Sequence, residues 1–233
     1  MTFKVKGYLK ETRRPIYSAA LVLPFLCVYH FGTFLLRTTY INGADAIIIR
    51  ILSSLTVHSM FGSALVLAAC FVIWQFRTHA SWRIRFGTLL ISLLESLCFA
   101  LILLFAFGWM TKHLSLAIGG SRSGAANLVL YCGAGIYEEL VFRAFLLGVL
   151  VAVFSRMFSL KKGTAAAAAA ILGALIFALF HYIGPSGDLF TLRSFIQRTV
   201  AGLFFAILYV TRGFGITAAS HAIYDILVGV ILA

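Results

Sequence analysis

The fold class this sequence predicts is an all-α, polytopic membrane bundle, and three observations carry it. The chain is 62% hydrophobic and 11% charged, where soluble globular chains sit near ~45–50% apolar and ~25% charged. At ~20 apolar residues per span, 233 residues hold about seven transmembrane helices joined by short loops, with no room for a separate soluble domain. The basic residues complete the case. Of 19 Lys and Arg, 18 fall in loops or near the ends of apolar runs, as membrane topology requires. The net charge of +12 is therefore a topology signal, and nucleic acid is not an expected partner.

The elements follow in order. Lys4, Lys6, Lys10, Arg13 and Arg14 precede an apolar run from Ile16 to about Leu36. That run is too long for a signal-peptide core and has no small-residue cleavage site behind it, so it reads as a retained first span. Within residues 41–57, Ala46 to Ile49 are apolar but Asp45 and Arg50 flank them closely, which predicts an interfacial segment. Further spans are expected at 58–76, 86–110, 126–152, 164–183, 199–211 and 214–232, divided by Gly, Pro, Ser or basic residues. Phe190 to Arg198 reads as an amphipathic lead-in to the short sixth span. The six-alanine run Ala165–Ala170, with Gly163 and Gly173 beside it, predicts close helix packing. Cys27, Cys70, Cys98 and Cys132 lie in apolar runs without a CxxC pair, so they read as packing residues. Alternate loops carry twelve and six basic residues, which favours a cytoplasmic amino terminus and an external carboxyl terminus.

Ionisable residues at membrane depth are costly and ask for a partner or a function. In Tyr137-Glu138-Glu139-Leu140-Val141-Phe142-Arg143, Glu139 and Arg143 are i and i+4 neighbours on one helix face, while Glu138 points about a quarter-turn away. The natural division pairs Glu139 with Arg143 and leaves Glu138 to act. A fully paired ionic cluster that only locks helices together is the competing reading. His181 ends the apolar helix of Phe177-Ala178-Leu179-Phe180-His181, where it could act or simply bond to the last carbonyls. His221 and Asp225 stand at i and i+4 in the last span, so the carboxylate could fix the imidazole tautomer and aim its other nitrogen. Glu95, near Ser92 and Ser96, reads as a helix-helix contact or a supporting partner. His30, His58, His79 and His113 show no partner pattern and read as structural.

The motifs Glu-Glu-x-x-x-Arg at 138–143, Phe-x-x-x-His at 177–181 and His-x-x-x-Asp at 221–225, in that order and each in an apolar helix, resemble those of the CPBP family (CAAX protease and bacteriocin-processing, or Abi) of intramembrane proteases. The resemblance covers residues 125–233, expected as a catalytic core of about four helices. Residues 1–124, about three helices with a basic tail, match only in being hydrophobic. Asp225 stands where many members have Asn, and Ala144 where Gly is common. The resemblance implies hydrolysis of a peptide bond in a membrane-associated or exported protein or peptide. Glu138 would activate a water, His181 would hold it, and His221 would face the oxyanion. An ionised Asp225 accepts only, so its expected role is to orient His221 and stabilise its protonated form.

Glu138, His181 and His221 would be the ligands if the enzyme used zinc. No His-Glu-x-x-His lies on one helix to predefine such a site, and a metal-free glutamic mechanism is favoured. Other readings remain: an immunity or scaffold protein of the same fold, an ion-coupled transporter, or haem ligation by His181 and His221. The transporter reading lacks an internal repeat or paired broken helices. The expected setting is the inner membrane of a bacterium or archaeon, with the bilayer as the surrounding partner. Substrate sequence, its lipidation and the oligomeric state have no signature in these residues.

Overall fold

The computed structural model describes residues 5–37, 41–59, 61–110, 124–184 and 187–231. Lys4, Lys112, His113, Arg122 and Pro185, which enter the topology count or the histidine readings or follow the second motif, lie outside the described residues. The described residues form helices α1 (Val5–Thr12), α2 (Pro15–Leu35), α3 (Gly43–Ser54), α4 (Gly62–Thr78), α5 (Phe86–Met110) and α6 (Gly124–Glu139). A π-helical segment, Leu140–Leu147, follows directly, then α7 (Gly148–Arg156), α8 (Lys162–Phe180), α9 (Leu192–Arg212), α10 (Phe214–Ile226) and a second π segment, Leu227–Ile231.

The expected polytopic bundle is what this chain forms. Pro15–Leu35, Phe86–Gly108, Lys162–Phe180 and Leu192–Arg212 are long and apolar enough to cross a membrane, and Gly62–Thr78 and Phe214–Gly229 are shorter apolar helices. The expected fourth span runs unbroken through α6, the π segment and α7. Outward-facing Leu23, Phe31, Leu94 and Phe105 present hydrocarbon where lipid replaces water. Within residues 41–57 the chain forms a separate short helix, α3, over Gly43–Ser54.

One boundary is corrected. The sixth helix starts at Leu192 rather than 199, because Arg193, Gln197 and Arg198 interrupt the hydropathy without interrupting the helix. The cysteine reading is corrected in part: all four are free, but only Cys132 is buried.

The chain divides into two compact units, one of Met1–Glu138 with Arg212–Ala233, the other of Glu139–Thr211. In the first, α10 packs on α2 and α5, α2 on α4 and α5, α3 on α4, and α1 on α2 and α5. Its polar fastening is Glu95. The Arg212 guanidinium donates to both carboxylate oxygens (Nε 2.5 Å, Nη2 2.7 Å) and to Thr12 Oγ1 at 3.1 Å, while the Tyr8 hydroxyl donates to Glu95 at 2.6 Å. Burial, followed by the bond to Glu95, pushes the Tyr8 phenol up to about 12. Glu95 thus has a structural role with a cation as its partner, and Arg212, counted from sequence as a loop residue, is 6% exposed.

In the second unit, α7 packs on α8, and the first π segment packs on both. Ala165, Ala169, Gly173, Ala174 and Ala178 form the buried stripe of α8. The close approach expected of the alanine run falls just after it, where a Cβ on Gly202 of α9 would come within 3.0 Å of Ala174.

Candidate active site

In the first unit, α6 brings Glu138 to α10 because Gly135, one turn earlier, has no side chain. A Cβ there would sit 2.5 Å from the Ala222 backbone nitrogen, so only glycine lets the helices cross this closely. Ala222 follows His221, and the crossing sets the His221 ring against Glu138. Nε2 of His221 lies 4.0 Å from Glu138 Oε2 and 3.5 Å from Asp225 Oδ2. The same nitrogen therefore faces both carboxylates, whereas the sequence suggested that Asp225 would take one nitrogen and aim the other. Glu138 is 7% exposed and His221 5%.

The other oxygen of Glu138 has a partner the sequence reading missed. Asn42 donates from Nδ2 to Glu138 Oε1 at 2.9 Å. Next to Glu138, the Tyr137 hydroxyl lies 2.6 Å from Nε2 of the buried His30. The Tyr29 hydroxyl donates to Asp45 at 2.7 Å and accepts from the Asn42 backbone N–H at 3.2 Å. His30, which showed no partner pattern in the sequence, thus bonds to the residue adjoining Glu138.

The second unit opens with the other carboxylate. Glu139, fully buried, pairs with Arg143 at 3.0 Å, as the i, i+4 spacing predicts. Arg143 also donates to the Gly202 carbonyl at 3.4 Å and lies over the Phe177 ring at 4.2 Å. Arg143 sits in the π segment, whose i to i+5 bonding has no signature in sequence periodicity. His181 caps α8, and its Nδ1 is 2.9 Å from the Phe177 carbonyl. A carbonyl only accepts, so Nδ1 carries a proton, and in the neutral form of the ring Nε2 is the acceptor.

The structure thus brings Glu138, His221 and Asp225 together in one unit, and Glu139 and Arg143 together in the other, which also holds His181. Among the described residues, no three His, Cys, Asp or Glu side chains gather as a metal site needs.

Comparison with known proteins finds no match among curated proteins or solved structures. The family models do give one. Residues 122–227, the part of the chain that carries all three motifs, match the model of the type II CAAX prenyl endopeptidase Rce1-like family.

Proposed function

We propose that the chain is an intramembrane endopeptidase of the glutamic type, hydrolysing a peptide bond in a membrane-associated or exported protein. The observation that carries the proposal is Glu138, a carboxylate at membrane depth held by a neutral amide and faced by His221. Glu138 takes a proton from water as the oxygen attacks the scissile carbonyl, and passes it to the departing amine as the tetrahedral intermediate collapses. A protonated His221 donates to the oxyanion. The 3.5 Å contact with Asp225 supports that protonated form, and an imidazolium cannot ligate a metal. His181 accepts a hydrogen bond from the water through Nε2, the acceptor that its bond to Phe177 leaves on the neutral ring. Glu139 and Arg143 position this machinery through their mutual pair. The proposed orientation is amino terminus cytoplasmic and carboxyl terminus outside. A reporter fused after Ala233 that reads as cytoplasmic reverses it.

The test compares membrane proteomes of cells carrying wild type, Glu138→Ala or His181→Ala at matched levels, with and without a chelator. The expected result is one uncut membrane protein accumulating in both variants, and chelator-resistant cleavage in wild type. Unchanged proteomes in both variants would replace the protease with a binding or immunity protein of the same fold. Chelator-sensitive cleavage would replace the glutamic mechanism with a metal-dependent one.

A further inference from the structure

Asn42 lies outside the family-matched segment 122–227, yet it reaches Glu138, and its own geometry fixes what it offers there. It is the N-cap of α3. Its Oδ1 accepts from the backbone N–H of Ala44 at 2.9 Å and of Asp45 at 3.4 Å. That occupation decides the amide's orientation: the oxygen faces the helix end, so the nitrogen faces Glu138 and donates, at 2.9 Å. The residue is held from behind as well. Its backbone N–H donates to Tyr29, which in turn donates to Asp45 in the first turn of α3. An interfacial helix start is thereby fastened to α2 with its cap amide aimed at one carboxylate oxygen, while the other oxygen of Glu138 faces His221 at 4.0 Å.

We infer that Asn42 is a positioning residue for Glu138, holding its carboxylate rotamer and charge so that the second oxygen is the one presented for proton transfer. This rests on the reading of Glu138 as general base. A cationic side chain in place of the amide would have neutralised the carboxylate. The uncharged donor holds it without doing so.

Asn42→Thr and Asn42→Ser keep a good N-cap oxygen and remove the amide that donates to Glu138. They are to be compared with wild type and Glu138→Gln in lipid nanodiscs. Infrared difference spectra assign the Glu138 carboxylate bands by their loss in Glu138→Gln. The second readout is turnover of the membrane protein that accumulates uncut in Glu138→Ala cells. Expected are displaced Glu138 bands in both Asn42 variants, with kcat lowered about 10- to 100-fold, the size of a hydrogen bond to a charged group. KM should stay within about twofold, and thermal unfolding should be unchanged. Unmoved bands in both variants overturn the inference, whatever the activity. Displaced bands with wild-type kcat also overturn it, by leaving the contact without a role in the reaction. If Glu138→Gln itself turns over substrate normally, the general-base reading fails, and the bands alone still decide whether Asn42 holds the carboxylate.

Discussion

The two compact units treat consecutive carboxylates in opposite ways. Glu139, which begins the second unit, is fully buried and meets a guanidinium at 3.0 Å that is itself laid over Phe177. Glu138, which ends the first stretch of the other unit, is bonded to an uncharged amide at 2.9 Å and has an imidazole at 4.0 Å. A fixed cation neutralises the charge and locks the side chain into the packing. A neutral donor fixes direction and leaves the negative charge for a reacting proton. Two residues joined by one peptide bond thus differ in their partners, and the proposed chemistry falls to the one without a fixed cation.

The largest expected effect tests the architectural half. Arg143→Ala leaves Glu139 buried without its cation and should destabilise the protein by about 3–5 kcal/mol, whereas the double variant Glu139→Leu/Arg143→Leu should lose much less. Thermal unfolding in nanodiscs measures both. Equal losses in the single and double variants would mean that the pair is not what ties the π segment to its neighbours.

Next comes the crossing that sets Glu138 beside His221. Gly135→Leu forces α6 and α10 apart at Ala222, where even a Cβ would sit 2.5 Å from backbone. A displacement of about 1 Å between Glu138 and His221 should cost about 100-fold in turnover, more than it costs in stability. A wild-type rate in Gly135→Leu would show that the reaction does not need this crossing.

These two sites differ in how much of them the sequence disclosed. Glu138, Glu139, Arg143, His181, His221 and Asp225 stand out because charge inside an apolar helix is expensive, so each announces itself against Leu, Phe and Ala. The seven apolar segments were legible for the same reason. Asn42 was not. An asparagine before a helix is an ordinary cap, and Asn42 is one, so its second duty depends on a contact across 96 positions of sequence. The π segment escaped because its sequence, Leu-Val-Phe-Arg-Ala-Phe-Leu-Leu, suits an α-helix equally well. The buried pairing of Arg212, counted from sequence among the basic residues of loops and helix ends, escaped because its partner Glu95 lies 117 positions away, and hydropathy at α9 broke off at Arg193, Gln197 and Arg198 although the helix continues through them.

A smaller effect is expected at Asp225. Asp225→Asn removes the anion 3.5 Å from His221 Nε2 and supplies an amide that can itself donate. The loss and the gain oppose each other, so turnover should change by no more than about tenfold. In a double-mutant cycle, the effect of Asp225→Asn should vanish in a His221→Ala background, because Asp225 acts through that ring. An undiminished effect there would assign Asp225 a direct part in the reaction.

The smallest effect concerns the latch behind Asn42. Asp45 lies in the first turn of α3, where the helix dipole favours an anion, and Tyr29 donates to it. Burial outweighs both. At 1% exposure, desolvation holds its carboxyl above the ordinary carboxylate range, against the lowering by the nearby Ser63 hydroxyl and the hydrogen bond from Tyr29. A raised value in the folded state means that folding favours the protonated acid. The contribution to stability is complete below the ordinary carboxyl range and is lost as pH rises through the folded-state value. Asparagine at this position keeps an oxygen for Tyr29 and carries no charge to desolvate. Asp45→Asn should therefore match wild type in acid and exceed it at neutral pH by about 1 kcal/mol, the worth of one hydrogen bond. Unfolding followed at both pH values reads the difference. A variant less stable than wild type at neutral pH would mean that the ionised carboxylate is what fastens α3, and that the latch, unlike the amide it positions, works by charge.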